Sequence, residues 1–484
     1  MGGMFGVVAQ GSEDCVRDLF FGTDYHSHLG TRRGGLAVRN KNGFQRFIHN
    51  IENAQFRSKF EDDITKMHGH MGIGVISDTE AQPLLVGSRM GSYGIATVGR
   101  INNIDELVEE AFDKHTAHFL EMDGGVKSQT ELIATLINWG TTFEEGIRIA
   151  QEKIDGSCTL LLLTEDGIIA ARDMYGRTPL IIGEKDGALC VTSETCAFLN
   201  RGFHTKQELG PGEIVRFTND SVEQLTPPKD DMLQVCSFLW VYYGYPASTY
   251  EGRNVAVVRE LCGRALAQGE DPNLEIDMVA GVPDSGTAHA TGYANESGIK
   301  NGWPYVKYTP TWPRSFMPQN QDQRNLVARM KLIPIRELVE GQRILFCEDS
   351  IVRGTQLQDT VNRLYRLGTL EVHMRTACPP LIHGCKFLNF SNSRSEQDLA
   401  GRRAIRALEG EKGETEFLHE FSQDGSSRHS AMVEWIRNDL GLTSLRYQTL
   451  PDLVGAIGLP KEKLCTYCWD GADPSSCSNC PKKG

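Results

Sequence analysis

Residues 343–368 read RILFCEDSIVRGTQLQDTVNRLYRLG, and this stretch combines a buried strand, a short loop and an amphipathic helix. The apolar run Arg343–Cys347 predicts the strand, and apolar residues at helical spacing from Leu357 to Tyr365 predict a helix that begins near Thr355. The loop EDSIVRGT between them would aim backbone N–H groups and the positive end of the helix dipole at one point. We therefore predict a phosphate-binding loop at the carboxyl end of a strand.

The side chains of this loop add to that prediction. Ser350 and Thr355 carry hydroxyl donors, and Gly354 lets the backbone approach a ligand closely. Glu348 and Asp349 stand at the end of the strand, where two carboxylates can hold ribose hydroxyls or a magnesium ion. Taken alone, an acidic pair before a helix is more often only a cap, so the whole string has to decide.

Length and composition limit the class of protein. The chain has 484 residues, 40% of them hydrophobic, which is enough for two or more domains with cores of their own. The start MGGMFGVVAQ has no signal-peptide pattern and no run approaches a membrane span, so we expect a cytoplasmic protein without membrane association. A net charge of −13 disfavours nucleic-acid binding and leaves a phosphorylated metabolite as the expected partner.

The hydrophobic pattern changes at TPPKDD, residues 226–231, which we interpret as a linker. Before it, short strands such as GIGVIS and YGIATVG with few helices are typical of an α+β fold. After it, helices alternate with buried strands (IDMVAGVPDSG, PYVKYT, EVHMRTACPP), which is typical of a parallel sheet flanked by helices. Ser128 and Glu131 form a capping box that predicts a helix start, and HEFSQDGSSRHS at 419–430 predicts a mobile insertion.

Cysteines are spread along the chain, and four of them lie in the carboxyl-terminal tail. The chain has 13 of them, an odd number that fits reduced thiols or metal ligands better than a disulfide framework. The tail holds two C-x-x-C pairs, Cys465/Cys468 and Cys477/Cys480, which could together bind zinc. Only eight residues separate the pairs, which is shorter than the usual zinc-ribbon spacing.

EDSIVRGT resembles the phosphoribosylpyrophosphate (PRPP) signature of type I phosphoribosyltransferases, and its SIVRGT form resembles that of the glutamine PRPP amidotransferase family. GVPDSGTAHATGYANESGI (281–299) is similar to the family's segment beside pyrophosphate and metal, and RSFMPQNQDQRNLVARMKL (314–332) to its closing loop. AARDMYGRTPLIIG and LGPGEIVRF resemble its glutaminase domain. The resemblance implies an α+β N-terminal-nucleophile (class II glutamine amidotransferase-like) sandwich at 1–230, an α/β type I phosphoribosyltransferase domain with a parallel sheet at 231–460, and a cysteine-rich tail at 461–484.

The resemblance also implies roles for individual residues. It gives the PRPP-binding set as Asp284, Ser285, Glu348, Asp349, Ser350, Ile351, Val352, Arg353, Gly354 and Thr355. Ser285, Glu348 and Asp349 are the implied Mg²⁺ ligands. Arg314 and Lys331 are implied to be catalytic, because cations on a closing loop would stabilise the departing diphosphate. The family further suggests a homo-oligomer, a dimer or a tetramer.

Three further segments, VCSFLWVYYGYPAS, CPPLIHGCKF and CTYCWDG, resemble those that supply cluster cysteines in the iron–sulfur branch of the family. The resemblance implies a [4Fe–4S] cluster held by Cys236, Cys385, Cys465 and Cys468, which we interpret as a structural clamp. The zinc alternative in the tail stays open, and under the cluster hypothesis Cys477 and Cys480 have no assigned role.

The glutaminase part departs from the family pattern. Setting GGMFG against the family's Cys-Gly-Ile-Phe-Gly start puts Gly2 at the nucleophile. Gly99 keeps the glycine of the oxyanion site, but Arg100 replaces its asparagine and Gln129 replaces the aspartate that meets the substrate ammonium. GIGVISDT lacks the arginine that grips the glutamine carboxylate, and Cys15 has no terminal amine beside it to act as base. We therefore expect this site to be inactive as a glutaminase.

The combined expectation is an amidophosphoribosyltransferase-like protein that binds PRPP–Mg²⁺ or a purine nucleotide. Ammonia, free or delivered by another protein, would attack C1 of PRPP to give 5-phosphoribosylamine and pyrophosphate, as in purine nucleotide biosynthesis. Two alternatives stay open: a non-catalytic PRPP- or nucleotide-binding regulator that pairs with an active paralogue, and a phosphoribosyltransferase that uses another amine.

Overall fold

The first half of the chain consists of two facing antiparallel sheets. In the computed structural model the described residues are 2–11, 13–114, 122–123, 126–218, 221–308, 332–388 and 396–473. The strands of this half are β1 (Gly2–Ala9), β2 (Arg33–Asn40), β3 (Gly43–Asn50), β4 (Met71–Ser77), β5 (Leu84–Ser88), β6 (Gly91–Ile101), β7 (Met122–Asp123), β8 (Val126–Lys127), β9 (Gly156–Leu163), β10 (Ile168–Ala171), β11 (Ile181–Lys185), β12 (Ala188–Thr192), β13 (His204–Glu208), β14 (Ile214–Phe217) and β15 (Val222–Thr226). One sheet has the order β13-β11-β12-β1-β4-β2-β3 and the other β15-β14-β10-β9-β6-β5.

Period-two burial explains why these strands stack. On β1, Met4 and Val8 enter the core between the sheets, whereas Phe5 and Val7 face the helices on the other side. The α-helices of this half are Val16–Asp24, Phe56–Phe60, Ile104–Asp113, Gln129–Ile137, Phe143–Lys153 and Cys196–Arg201. The predicted capping box is confirmed, because the Ser128 hydroxyl accepts a 3.2 Å hydrogen bond from the Glu131 N–H. These helices cover both outer faces of the sandwich.

The second half is built on a parallel sheet of the order β19-β22-β23-β24. Its strands are β16 (Val235–Cys236), β17 (Thr249–Tyr250), β18 (Arg253–Asn254), β19 (Met278–Gly281), β20 (Tyr305–Lys307), β21 (Leu332–Pro334), β22 (Arg343–Glu348), β23 (Glu371–Thr376), β24 (Ser444–Tyr447) and β25 (Leu464–Cys465). Its α-helices are Val255–Gln268, Thr287–Ser297, Arg336–Val339, Thr355–Arg366, Ala400–Thr415, Leu418–Ser422, Ser427–Leu440, Leu450–Ile457 and Tyr467–Asp470. The strand and helix predicted within 343–368 are both confirmed, and Val361 and Leu364 are buried as their spacing indicates.

Two local predictions for this half were wrong. The segment PYVKYT forms β20, but β20 pairs antiparallel with β21 in a separate hairpin instead of joining the parallel sheet. The segment 419–430 is not a mobile insertion, because Phe421 is completely buried and the Ser426 hydroxyl caps the following helix by accepting from the His429 N–H at 2.9 Å.

The two halves share apolar packing. One cluster of buried side chains runs from Phe5 and Phe198 in the first half through Phe238 to Leu453 in the second. Within the described part of the chain, no helix has the length and apolarity that crossing a membrane requires.

Candidate active site

The predicted phosphate loop lies at the carboxyl end of β22. Gly354 caps the helix Thr355–Arg366 with φ +79°, and a Cβ there would lie 2.9 Å from Leu440 Cδ2. Both the left-handed backbone and the close contact favour glycine. Among the described residues, no protein group accepts from the backbone N–H groups of residues 350–354. These donors and the positive end of the helix are thus available to an anionic ligand.

Two carboxylates lie beside this loop. Ser285 Oγ donates to Glu348 Oε1 at 2.9 Å, and Ser350 Oγ donates to Asp349 Oδ1 at 2.6 Å. Burial and the neighbouring charge of Asp349 raise the pKa of Glu348 well above its usual range, and burial also raises the pKa of Asp349. Hydroxyl donors or a divalent cation between the two groups would relieve their repulsion.

The loop that follows β19 approaches the same place. Val282 N–H donates to the Cys347 carbonyl at 3.0 Å, and the Gly286 backbone packs so closely on that carbonyl that a side chain would not fit. Ser285 is thereby brought to Glu348. The Asp284 carboxylate instead forms an ion pair with Lys307 and is 75% exposed.

Ile351, Val352 and Arg353 fix the phosphate loop to neighbouring parts of the domain. Ile351 is buried in the core of the parallel sheet domain. The Val352 carbonyl accepts from the Ala400 N–H at 2.8 Å, and the Arg353 guanidinium lies 3.6 Å from the Asp398 carboxylate. The phosphate loop is thus braced from the side of the helix Ala400–Thr415.

Sequence reasoning missed two cations near this site. Arg259, buried on the helix Val255–Gln268, donates to the carbonyls of Trp240 and Gly244 at 2.9 and 2.8 Å. Its charge partly opposes the rise in the pKa of Asp349. Lys307 is the partner of Asp284, and its place in PYVKYT could have indicated a residue near the end of a strand. The predicted loop cations Arg314 and Lys331 lie outside the described residues.

Cys236, Cys385, Cys465 and Cys468 line one cavity of about 310 Å³. Strands β16 and β25 pair in parallel with Cys236 opposite Cys465, and the N–H groups of Ile382 and His383 donate to the Cys468 carbonyl at 3.1 Å. Burial raises the pKa of the Cys236 thiol, and its neighbours Cys465 and Cys385 raise it further. Four thiols around one cavity fit the donor set that a [4Fe–4S] cluster requires. In the described part of the chain, no group of three or more His, Cys, Asp or Glu side chains is placed to hold a single metal ion.

The first half contains a cavity of about 450 Å³ at the positions where the glutaminase site was expected. Gly2 and Gly99 line it. Gly2 is opposite Ser77 in the β1–β4 pair, and a Cβ at Gly2 would lie 2.5 Å from the Ile76 carbonyl oxygen. Gly99 has φ +152° and packs directly on the backbone of Ser157, so a side chain would not fit there either.

Polar side chains in this cavity bind other parts of the protein. Arg100 Nη1 donates to the Cys385 carbonyl at 3.0 Å, and Gln129 Oε1 accepts from the Ile101 N–H at 3.0 Å. Glu80, which no sequence motif marks, caps the helix Gln129–Ile137 by accepting from the backbone N–H groups of Gln129 and Thr130. Cys15, which has no terminal amine beside it to act as base, is buried before the first helix, and burial raises its pKa.

Comparisons with known proteins agree with both halves of this arrangement. A family model described as a glutamine amidotransferase domain matches residues 68–200. The amidophosphoribosyltransferase of Mycobacterium tuberculosis is 30% identical over 98% of this chain and 86% of that protein. The chain belongs to the amidophosphoribosyltransferase family. Its relatives also include the amidophosphoribosyltransferases of Bacillus subtilis, 30% identical over 98% of this chain and 94% of that protein, and Methanocaldococcus jannaschii, 29% identical over 98% of each.

Solved structures of this family have the same fold. The structure of glutamine PRPP amidotransferase from B. subtilis complexed with ADP and GMP matches with a TM-score of 0.82 and 27% identity, covering 98% of this chain and 97% of that one. A structure described as the allosteric regulatory enzyme of purine biosynthesis matches with a TM-score of 0.81 and 26% identity, covering 98% and 96%. The predicted fold class is thereby confirmed: an N-terminal-nucleophile glutamine amidotransferase-like domain followed by a type I phosphoribosyltransferase domain with a parallel sheet.

Proposed function

We propose that this protein is an amidophosphoribosyltransferase that takes ammonia, and not glutamine bound in its own first domain, as the nitrogen donor. Ammonia attacks C1 of PRPP, the bond from C1 to the diphosphate oxygen breaks, and loss of a proton from nitrogen leaves 5-phosphoribosylamine and pyrophosphate. The observation that carries this proposal is the loop 350–354, whose backbone N–H groups have no protein acceptor among the described residues and lie beside the carboxylates of Glu348 and the buried Asp349.

Each group of that site has a role in the proposal. The N–H groups and hydroxyls of residues 350–355 bind the 5-phosphate, and Glu348 and Asp349 accept hydrogen bonds from the ribose hydroxyls. The oxygens of Ser285, Glu348 and Asp349 fit Mg²⁺, which prefers hard oxygen ligands and substrate phosphates. When bound, Mg²⁺ supplies positive charge to the diphosphate oxygens. We assign Arg314 and Lys331 to the same leaving group from the family resemblance.

Three features of the first domain support the absence of glutaminase activity. The nucleophile position is Gly2, and neighbouring backbone occupies the place that a side chain there would need. Arg100 and Gln129 are engaged in hydrogen bonds to the Cys385 carbonyl and the Ile101 N–H. Hydrolysis of a carboxamide through an acyl-enzyme needs a nucleophile and donors directed at the oxyanion, and at the expected positions this cavity keeps Gly99 but has neither the thiol nor the asparagine.

We also propose that the four-cysteine cavity holds a [4Fe–4S] cluster as a structural clamp. The parallel pairing of β16 with β25 draws the tail onto the segment that follows the linker, and Cys385 adds a third segment to the same cavity. The boundaries 1–230, 231–460 and 461–484 remain our proposal for the domains and the tail. Purine nucleotides, like those in the B. subtilis structure, are proposed as further ligands of the PRPP site, and the protein as a homo-oligomer.

The test is pyrophosphate release from PRPP and Mg²⁺ with glutamine, with ammonium chloride, or with neither. We expect release with ammonium alone. Pyrophosphate release with glutamine, when free ammonia is too dilute to support the reaction, would refute the proposal that the first domain has no glutaminase activity. No release with any donor, combined with tight PRPP binding, would refute transferase activity and favour a regulatory protein. Release only with another amine would show that this amine, and not ammonia, is the nitrogen donor.

A further inference from the structure

Arg177 is a buried cation that forms no ion pair within the described part of the chain. It lies between β10 and β11 in the first half, its side chain is 1% exposed, and it lines the four-cysteine cavity. Nη1 donates to the Gly156 carbonyl at 3.2 Å, but Nε and Nη2 have no hydrogen-bond partner among the described residues. Isolated buried charges are strongly unfavourable, so these two nitrogens indicate a missing acceptor.

A second buried arginine shows what Arg177 lacks. Arg172, five residues earlier and equally buried, forms a 2.7 Å ion pair with Glu251. Around Arg177 the structure places aromatic rings instead: its guanidinium lies 3.6 Å from the centroid of Phe387 and 4.4 Å from that of Tyr175. Cation–π contacts compensate a charge in part, but they do not accept the in-plane N–H groups of a guanidinium.

On the remaining side, Arg177 lines the same cavity as Cys236, Cys385, Cys465 and Cys468. The Cys236 N–H donates to the Arg177 carbonyl at 3.1 Å, so the backbone of Arg177 is also fixed to the strand that carries the first cysteine. The side chain of Arg177 therefore lines the four-cysteine cavity, and its carbonyl is bonded to one of the four cysteines.

We propose that Arg177 is a positioning residue for the cluster: its guanidinium compensates the negative charge of the four thiolates and donates hydrogen bonds to sulfur. This inference rests on the proposed cluster. Net charge, hydrogen bonds to the sulfurs and solvent exposure set the reduction potential of an iron–sulfur cluster, and a nearby cation favours the more negative, reduced form. The first domain would then tune a centre whose ligands all belong to the second half and the tail.

The experiment compares the full-length protein, purified anaerobically with its iron and sulfide measured, with Arg177→Met, Arg177→Lys and Lys386→Met variants. The reduction potential is measured by dye-mediated titration followed by visible absorbance and electron paramagnetic resonance. We expect Arg177→Met to shift the equilibrium about tenfold toward the oxidised cluster, or 59 mV for a one-electron couple. Arg177→Lys, which keeps the charge, should lie close to wild type.

Lys386 is the matched control. It follows Cys385 directly but pairs with Asp473 and is 35% exposed, so its removal should leave the potential unchanged. If the Arg177→Met variant does not retain the cluster, the reduction potential of Arg177→Gln is compared with that of Arg177→Lys instead. A potential unchanged by Arg177→Met, or shifted equally by Arg177→Lys, would overturn the role of Arg177. A wild-type protein without iron and sulfide is a different result, because it would overturn the cluster itself and this inference with it.

Discussion

Replacing Gly2 with cysteine should not restore glutamine hydrolysis, although it returns the expected nucleophile to its position. The Cβ of residue 2 would lie 2.5 Å from the Ile76 carbonyl oxygen and 3.4 Å from Val98 Cγ2. Backbone pairing between β1 and β4 fixes that carbonyl, so the strand itself must move. Overpacking a well-packed interior costs about 1–3 kcal/mol, and we expect the free energy of unfolding to fall by that amount.

Two measurements check this prediction: glutamate released from glutamine, and urea unfolding of the wild-type and variant proteins. Gly87→Cys is the matched control, because Gly87 also lies in a strand but no heavy atom stands within 4 Å of its Cβ position. We expect Gly87→Cys to change stability by no more than about 0.5 kcal/mol. A Gly2→Cys protein that is as stable as wild type and releases glutamate would refute the reasoning.

Three further predictions concern the PRPP site and the cysteines. Glu348→Gln removes a charged acceptor for the ribose, and since hydrogen bonds to charged groups contribute about 1.5–3 kcal/mol, PRPP–Mg²⁺ affinity by calorimetry should fall roughly 10- to 100-fold; an unchanged Kd would contradict this. Gly354→Ala places a side chain at φ +79°, at a cost of about 1–2 kcal/mol, and should weaken PRPP binding, whereas Gly341→Ala, at φ +72° in open space, should reduce stability only. An equal loss of affinity in both variants would show that general strain, not the phosphate loop, is responsible. By iron and zinc analysis, Cys236→Ser should abolish iron binding and Cys477→Ser should retain it. Zinc in the wild-type protein that Cys477→Ser loses and Cys236→Ser keeps would favour a zinc site in the tail.

Sequence patterns predict secondary structure best where the pattern is local and each side chain faces either solvent or the hydrophobic core. In 343–368 the change from an apolar run to helical spacing defines strand, loop and helix without knowledge of the rest of the fold. The same reasoning was wrong for β20, because alternation of apolar residues reports a half-buried strand but does not say which strand it pairs with. For 419–430 the polar, glycine-containing composition masked two stabilising features, the Ser426 cap and the buried Phe421.

Groups that act across the halves could not be predicted, since their partners come from distant segments. The sequence predicts that Gly2, Arg100 and Gln129 stand where the family resemblance places catalytic groups, but it does not show which contacts these residues make. In the structure Arg100 reaches the Cys385 carbonyl 285 positions away, and Glu80 caps the helix that begins at Gln129. Because Arg100 and Gln129 bind other parts of the protein, replacing either one with the residue expected from the family would remove a hydrogen bond without completing the site. If the site is inactive, as we propose, recovery of glutaminase activity would require coordinated changes in several segments.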